Sequence, residues 1–135
     1  IMTRLTVSAV HSLQLIPVDT LSRFAQVQGR VSMLWLERPV DVMAVPGSVR
    51  VTSDNEEGIY RKTITFRRAP VDLEGSAQLE ALSGCLLLAV YVDENGNRRV
   101  AGSPDCPLRL SYSSGEGAYM CTLSGEGVSI DPFLI

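Results

Sequence analysis

The sequence predicts a mainly β protein, a β-rich α+β fold in which about seven or eight short strands form an antiparallel sandwich or barrel. Three observations carry this prediction. Apolar and polar residues alternate along most of the chain, turn signals recur every ~8–12 residues, and one segment alone has helical spacing. The 135 residues, 45% hydrophobic and 20% charged, fit one globular domain over residues 1–135.

The first clear alternation lies in AQVQGRVSMLW, residues 25–35, and predicts a strand with one buried face. Gly29 inside this run predicts a β-bulge or a close backbone approach. A second interpretation takes Asp19 or Thr20 as the N-cap of a short helix that ends near Gly29. We favour the strand, at least from Val27 onward.

Two further strands are predicted around a Pro-Gly turn and a polar loop. Pro46-Gly47 fits the central positions of a type II turn, because proline presets φ and glycine accepts a positive φ. The following SVRVTSD alternates and predicts a half-buried strand, and SDNEEG, residues 53–58, predicts a polar loop tip. IYRKTITFRR, residues 59–68, is the clearest amphipathic strand. One face carries Tyr60, Lys62, Ile64 and Phe66, and the other carries Arg61, Thr63, Thr65 and Arg67.

The single helical candidate is DLEGSAQLEALSG, which predicts a short helix near residues 74–83. Leu79 and Leu82 lie three residues apart on one helical face, and Gly84 is a natural C-terminal stop. The next segment, CLLLAVYV, residues 85–92, is apolar on both faces. We therefore expect it to be a central strand that is covered on both sides.

The stretch YVDENGNRRVAGS, residues 91–103, could be a metal loop or a turn. An EF-hand loop needs glycine at its sixth position and glutamate at its twelfth, but Gly96 is the fourth residue from Asp93. Asn95-Gly96 instead predicts a type I′ hairpin turn. This turn would place Asp93 opposite Arg98 as a cross-strand charge pair. Tyr91 would then face Val100.

The C-terminal part predicts two more strands, LRLSYSS and AYMCTLSG, joined by a tight glycine-containing turn. Gly125-Glu126-Gly127 after them predicts a bend. The tail VSIDPFLI, residues 128–135, is too apolar for a solvated end. We expect it to dock on its own sheet or across a subunit boundary.

Composition and motifs exclude several classes of function. A net charge of −3 disfavours a dedicated nucleic-acid binder, and the longest apolar run, eight residues, is too short for a membrane helix. Three cysteines without a C-x-x-C pair predict neither a disulfide framework nor a zinc site. No convincing signal peptide is present, which predicts a cytoplasmic protein. His11 is the only histidine, and no catalytic motif occurs, so we expect a non-enzyme without metal or cofactor.

Two groups of residues are candidates for an interaction surface. The basic cluster could contact phosphates or an acidic partner, or it could protect an edge strand against aggregation. The apolar tail is the second group, and together these candidates comprise Arg61, Lys62, Arg67, Arg68, Phe133 and Leu134. The favoured hypothesis is a structural or assembly protein that acts through self-association or with other assembly proteins. The alternative is a small ligand-binding module for a peptide or sugar. Its pocket would be lined by Trp35 and by Tyr60, Tyr91, Tyr112 or Tyr119.

The C-terminal third also carries a family resemblance. It consists of an apolar strand followed by a D-x-N-G turn, a small-residue exit, and a final strand with a G-E step and a Pro-aromatic close. The matching residues are Asp93, Asn95-Gly96, Val100, Gly102-Ser103, Gly125-Glu126 and Pro132-Phe133. This part resembles structural proteins of the tail or virion-assembly type that are encoded in prophages of the Bacteroidetes. The resemblance implies a non-enzymatic, β-rich building block that self-assembles, in the cytoplasm or in a virion, and it assigns no site residues.

Overall fold

The computed structural model describes residues 2–7 and 12–135, with side chains from residue 12 onward. His11 lies outside the described residues. These residues form twelve strands and one α-helix, so the mainly β class with one short helix is confirmed, although the strands are more numerous than predicted. The strands are β1 (Met2–Val7), β2 (Leu13–Pro17), β3 (Leu21–Val27), β4 (Arg30–Trp35), β5 (Val40–Asp41), β6 (Arg50–Glu56), β7 (Ile59–Arg68), β8 (Leu87–Val92), β9 (Arg98–Ala101), β10 (Arg109–Gly115), β11 (Ala118–Gly127) and β12 (Phe133–Leu134). The helix α1 spans Leu73–Ser83.

The strands form two sheets. The five-stranded sheet has the order β1-β6-β7-β11-β10, and the seven-stranded sheet has the order β3-β4-β12-β9-β8-β2-β5. Neighbouring strands are antiparallel except for β12, which runs parallel to β4. Only a 3-10 turn, Val18–Thr20, connects β2 near one end of the larger sheet to β3 at its other end. The larger sheet must therefore curl back on itself.

Two apolar cores follow from this arrangement. The larger core lies between the sheets and includes side chains of α1, and the smaller core lies within the curl of the seven-stranded sheet. Strand β8 contributes to both, because Leu87, Ala89 and Tyr91 face the larger core while Leu88 and Val90 face the smaller one. The prediction that this segment is a central strand covered on both faces is confirmed.

The hairpin of β3 and β4 corrects two predictions for the first strand region. Gln28 and Gly29 have φ values of 50° and 77° and form a two-residue turn between Val27 and Arg30. Gly29 is thus a turn residue and not a bulge, because the two positive φ values are those that a type I′ turn requires at its central positions. The alternative of a helix ending near Gly29 is wrong, since residues 21–27 form β3.

Strands β6 and β7 form the hairpin that presents Lys62. The predicted loop tip over residues 53–58 is shorter in the structure, because pairing continues to Glu56 opposite Ile59 and the turn is Glu57-Gly58 alone. The alternation in β7 is confirmed, with Lys62, Ile64 and Phe66 buried. The turn at Pro46-Gly47 is also confirmed, since the Ser48 N–H donates to the Val45 carbonyl.

The connection between β8 and β9 differs from the predicted type I′ turn. Gly96 alone has a positive φ, its N–H donates to the Asp93 carbonyl, and the Asp93 N–H donates to the Asn97 carbonyl. This is the three-residue loop with a left-handed glycine. The register is consequently shifted by one residue, so Tyr91 faces Arg99 and not Val100. A shift of one residue exchanges the faces of a strand, and it brings Arg99 to the side of Tyr91.

The predicted helix is confirmed as α1. The Asp72 carboxylate accepts a hydrogen bond from the Gly75 N–H at its first turn. Gly84 caps the other end at φ −85°, so it does not use a left-handed conformation. No α-helix of the described residues has the length and hydropathy needed to cross a membrane.

The predicted bend at residues 125–127 is wrong. These residues continue β11 and pair with Lys62, Arg61 and Tyr60 of β7. A Cβ at Gly125 would lie 2.8 Å from the Pro107 carbonyl oxygen. The glycine therefore permits a close approach between backbones and does not form a turn.

Candidate functional site

The C-terminal tail is docked within its own chain as β12, between β4 and β9. The Phe133 and Ile135 N–H groups donate to the carbonyls of Gly29 and Val31, at 2.8 and 3.0 Å. On the other side, the Val100 N–H donates to the Pro132 carbonyl at 3.0 Å. The last residues of the chain thus complete the seven-stranded sheet.

A buried ion pair anchors this tail. The Lys62 Nζ atom lies 2.8 Å from Asp131 Oδ1, and both side chains are only 6% exposed. The Tyr91 hydroxyl donates a hydrogen bond to Asp131 Oδ2. The anchor is therefore polar, whereas the sequence predicted docking through large apolar side chains. Ile130, Phe133 and Ile135 in fact remain substantially exposed.

Arg99 joins the tail to the loop between β8 and β9. Its Nε donates to Asp93 Oδ2 at 2.8 Å, and its Nη1 donates to the Asp131 carbonyl at 2.9 Å. The guanidinium also stacks over the Phe133 ring, with 4.3 Å to the centroid. Asp93 Oδ1 accepts the N–H groups of Asn95 and Asn97 at 2.9 Å each. The predicted partner of Asp93 was Arg98, and the shifted register explains the difference.

These contacts fix the protonation of two groups. The hydrogen bond from Arg99, the largest cause, lowers the pKa of the Asp93 carboxyl below its ordinary value, and two backbone N–H groups act in the same direction against burial. Burial raises the pKa of the Tyr91 hydroxyl far above its ordinary value, and the charge of Asp131 raises it further. Asp93 therefore stays ionised and Tyr91 stays a donor at neutral pH.

A pocket of about 170 Å³ opens beside this cluster. Its wall includes Ser53 of β6, whose buried Oγ has no hydrogen-bond partner within the described residues. Asp93, Arg99 and Asp131 line the same pocket. The volume suits several water molecules or one small polar group.

The four residues of the predicted basic cluster do not form one surface. Arg61 and Arg67 are exposed on the outer face of β7, whereas Lys62 and Arg68 are buried on the core face. Lys62 pairs with Asp131, and Arg61 lies 3.6 Å from Glu126 in an exposed pair. The alternation of a strand separates neighbours onto opposite faces, so the cluster in sequence is not a cluster in space.

The two tail candidates also point in opposite directions. Leu134 is half-buried and packs on the smaller core, while Phe133 is 42% exposed on the other face of the sheet. That outer face of β3, β4 and β12 carries further large apolar side chains. We call it the apolar face, and it comprises Val27 (68% exposed), Leu34 (60%), Phe133 and Ile135 (75%).

The aromatic residues expected to line a ligand pocket are mostly committed to packing. Tyr91 and Tyr119 are buried, and Tyr119 bonds to Ser76 and to the Asp72 carbonyl. Tyr112 stacks edge-on against Tyr119. Tyr60 is half-buried, and Trp35, the last residue of β4, is 37% exposed. Of this set, Tyr91 alone lines the pocket beside Ser53.

The sequence pattern does not reveal the groups that matter most here, namely Ser53, Asp131 and the pairing of Arg99 with Asp93. These polar residues lie in segments where the alternation of apolar and polar residues predicts which face of a strand a side chain occupies. It does not predict which distant residue that side chain contacts. Within the described part of the chain, no group of three or more His, Cys, Asp or Glu side chains is arranged to hold a metal ion.

Comparison of the chain with protein-family models, with curated proteins and with solved structures finds no match.

Proposed function

We propose that this protein is a non-enzymatic structural or assembly protein that acts through self-association. The supporting observation is the apolar face of β3, β4 and β12, where four large apolar side chains lie exposed on one side of a single sheet. Several large apolar side chains exposed on one face of a sheet are typical of interaction sites in folded proteins. The proposal agrees with what the resemblance to prophage tail or virion-assembly proteins implies.

The charge distribution around this face supports the same proposal. The apolar face contains Arg30 and is bordered by Arg23 and Arg99, while the carboxylates of Asp93 and Asp131 are buried beside the tail and paired with Arg99 and Lys62. Arginine beside exposed aromatic and aliphatic side chains is typical of protein interfaces. The Arg99 guanidinium stacks on the Phe133 ring, so a cation lies directly beside this exposed aromatic side chain.

The test is the mass of the protein in solution, measured by light scattering after size exclusion across micromolar concentrations. We expect the mass to rise with concentration, and we expect Leu34→Ser to lower the largest mass that the protein reaches. Leu73→Ser is the matched control, because Leu73 is an exposed leucine at the start of α1, away from the apolar face. A wild-type protein that stays monomeric throughout, both alone and with co-expressed products of neighbouring genes, would overturn the proposal.

The alternative function, a ligand-binding module for a peptide or sugar, is favoured by the pocket beside Ser53. An unpartnered buried hydroxyl next to Asp93, Arg99 and Asp131 could position one polar ligand group. The pocket is small, however, and its one aromatic side chain, Tyr91, is already bonded to Asp131.

A thermal-shift screen with short peptides and oligosaccharides tests this alternative. A true ligand should raise the melting temperature of the wild type and lose this effect in Ser53→Ala. If no compound in either set stabilises the protein, or if Ser53→Ala responds like the wild type, the pocket is not a binding site.

A further inference from the structure

Strand β3 is an open edge of the seven-stranded sheet. Within the described residues it pairs with β4 alone, and five of its seven residues are exposed. The opposite edge of this sheet is β5, which is only two residues long and closely follows Pro39. Proteins usually protect edges with short strands, proline or several charges. β3 has none of these devices beyond Arg23 and one irregularity of register near residue 22.

The geometry of the hairpin shows which backbone groups of β3 are free to pair. A two-residue turn makes its flanking residues, Val27 and Arg30, a hydrogen-bonded pair. By alternation, Phe24 and Gln26 then direct their N–H and C=O groups away from β4. The tail confirms this alternation on the far side of β4, where the Val31 carbonyl, opposite Gln26, accepts from Ile135.

Two copies of β3 have compatible side chains when they pair in antiparallel orientation with Phe24 at the centre. In that register Phe24 faces Phe24 of a second copy, Ser22 faces Gln26, and Arg23 faces Ala25. No like charges meet, and the polar Ser22 meets the polar Gln26. Phe24 already packs on the smaller core, so its pairing would continue this core across the junction.

We infer that two copies of this chain associate through a two-fold antiparallel pairing of their β3 edges. The inference rests on the proposed function and names the partner and the register. Such a two-fold axis stands perpendicular to the sheet and keeps the same face of both copies on the same side. The two apolar faces then form one larger surface, which is available for assembly beyond the dimer.

Charge substitutions at Ala25 test the register, because Ala25 is exposed and faces Arg23 of the other copy in this pairing. By symmetry, residue 25 of each copy faces Arg23 of the other, so the dimer contains this contact twice. Ala25→Glu makes both contacts attractive, and Ala25→Arg makes both repulsive. We expect the dimer dissociation constant to fall about 2- to 30-fold in the first variant and to rise by a similar factor in the second. The double variant Arg23→Glu/Ala25→Arg restores opposite charges and should return the constant towards that of the wild type.

The matched controls are Ala81→Glu and Ala81→Arg, which make the same changes of net charge at an exposed position of α1. They should leave the dissociation constant unchanged, as measured by sedimentation. If the protein self-associates but the two Ala25 variants behave alike, or the double variant is not restored, the β3 pairing is wrong while the proposed function stands. If the wild type does not self-associate, both are wrong.

Discussion

Replacing Asp131 by asparagine should release the C-terminal strand and remove a large part of the stability of the protein. Asparagine retains an acceptor for Tyr91 and the main-chain carbonyl that Arg99 contacts, but it leaves the buried Lys62 ammonium without its counterion. At 2.8 Å and an effective dielectric constant of 20, the lost attraction is about 6 kcal/mol. The cost of burying both charges offsets part of this attraction. We therefore expect the free energy of unfolding to fall by about 3–5 kcal/mol.

The variant Lys62→Met and the double variant Lys62→Met/Asp131→Asn distinguish the contribution of the ion pair to the free energy of unfolding from that of side-chain packing. Each single variant leaves one buried charge unpaired, whereas the double variant leaves none. We therefore expect the double variant to lose less free energy of unfolding than the two single variants lose together. The control is Arg61→Met with Glu126→Gln. This exposed pair on the outer face of β7 and β11 should contribute less than about 1 kcal/mol.

Urea unfolding at neutral pH, followed by circular dichroism, measures these free energies. Hydrogen exchange gives the local readout, since release of the tail should accelerate exchange of the Val100, Phe133 and Ile135 amides before the rest of the sheet. The reasoning would be refuted if the losses of unfolding free energy in the two single variants summed to the loss in the double variant within about 0.5 kcal/mol. Unchanged exchange at the three amides in Asp131→Asn would show that Asp131 does not hold the tail.

Three further outcomes follow from the structure. Gly75→Ala should lower the free energy of unfolding by about 1–3 kcal/mol despite the better helix propensity of alanine, since the added Cβ would lie 2.0 Å from Nη1 of the buried Arg68. Urea unfolding measures this loss, which should shrink in an Arg68→Ala background; an equal loss there would contradict the mechanism. Because the pKa of Asp93 is lowered in the folded protein, its ionised form stabilises the fold above its unfolded pKa of about 4, and this stability is lost as pH falls through the folded pKa. Stability measured against pH should therefore decline in acid, and Arg99→Met should flatten the decline; identical slopes would refute the assignment. Burial raises the pKa of the Cys121 thiol to about 11. A thiol reagent at mildly alkaline pH should therefore label the other two cysteines first and Cys121 only after unfolding. Prompt labelling of all three cysteines would contradict the burial of Cys121.

The sequence by itself determined the features that depend on neighbours along the chain. Alternation in residues 59–68 correctly predicted which side chains face the core, and the apolar run over residues 85–92 correctly predicted a strand covered on both sides. The helix before Gly84 and the turn at Pro46-Gly47 were also predictable. Each rests on local backbone preference or on a period that one segment displays alone.

Only the tertiary structure decided which segments pair and in which register. The loop after β8 adopts a three-residue form because the Asp93 carboxylate caps it, and this shift of one residue places Arg99 beside Tyr91 and the tail. Lys62 and Asp131 are far apart in sequence, and although alternation places Lys62 on the core face of β7, no local pattern indicates the acidic partner that its burial requires. Their burial is possible only because β12 inserts between β4 and β9 and brings the two charges together, and a charge is stable inside a protein only when it is paired.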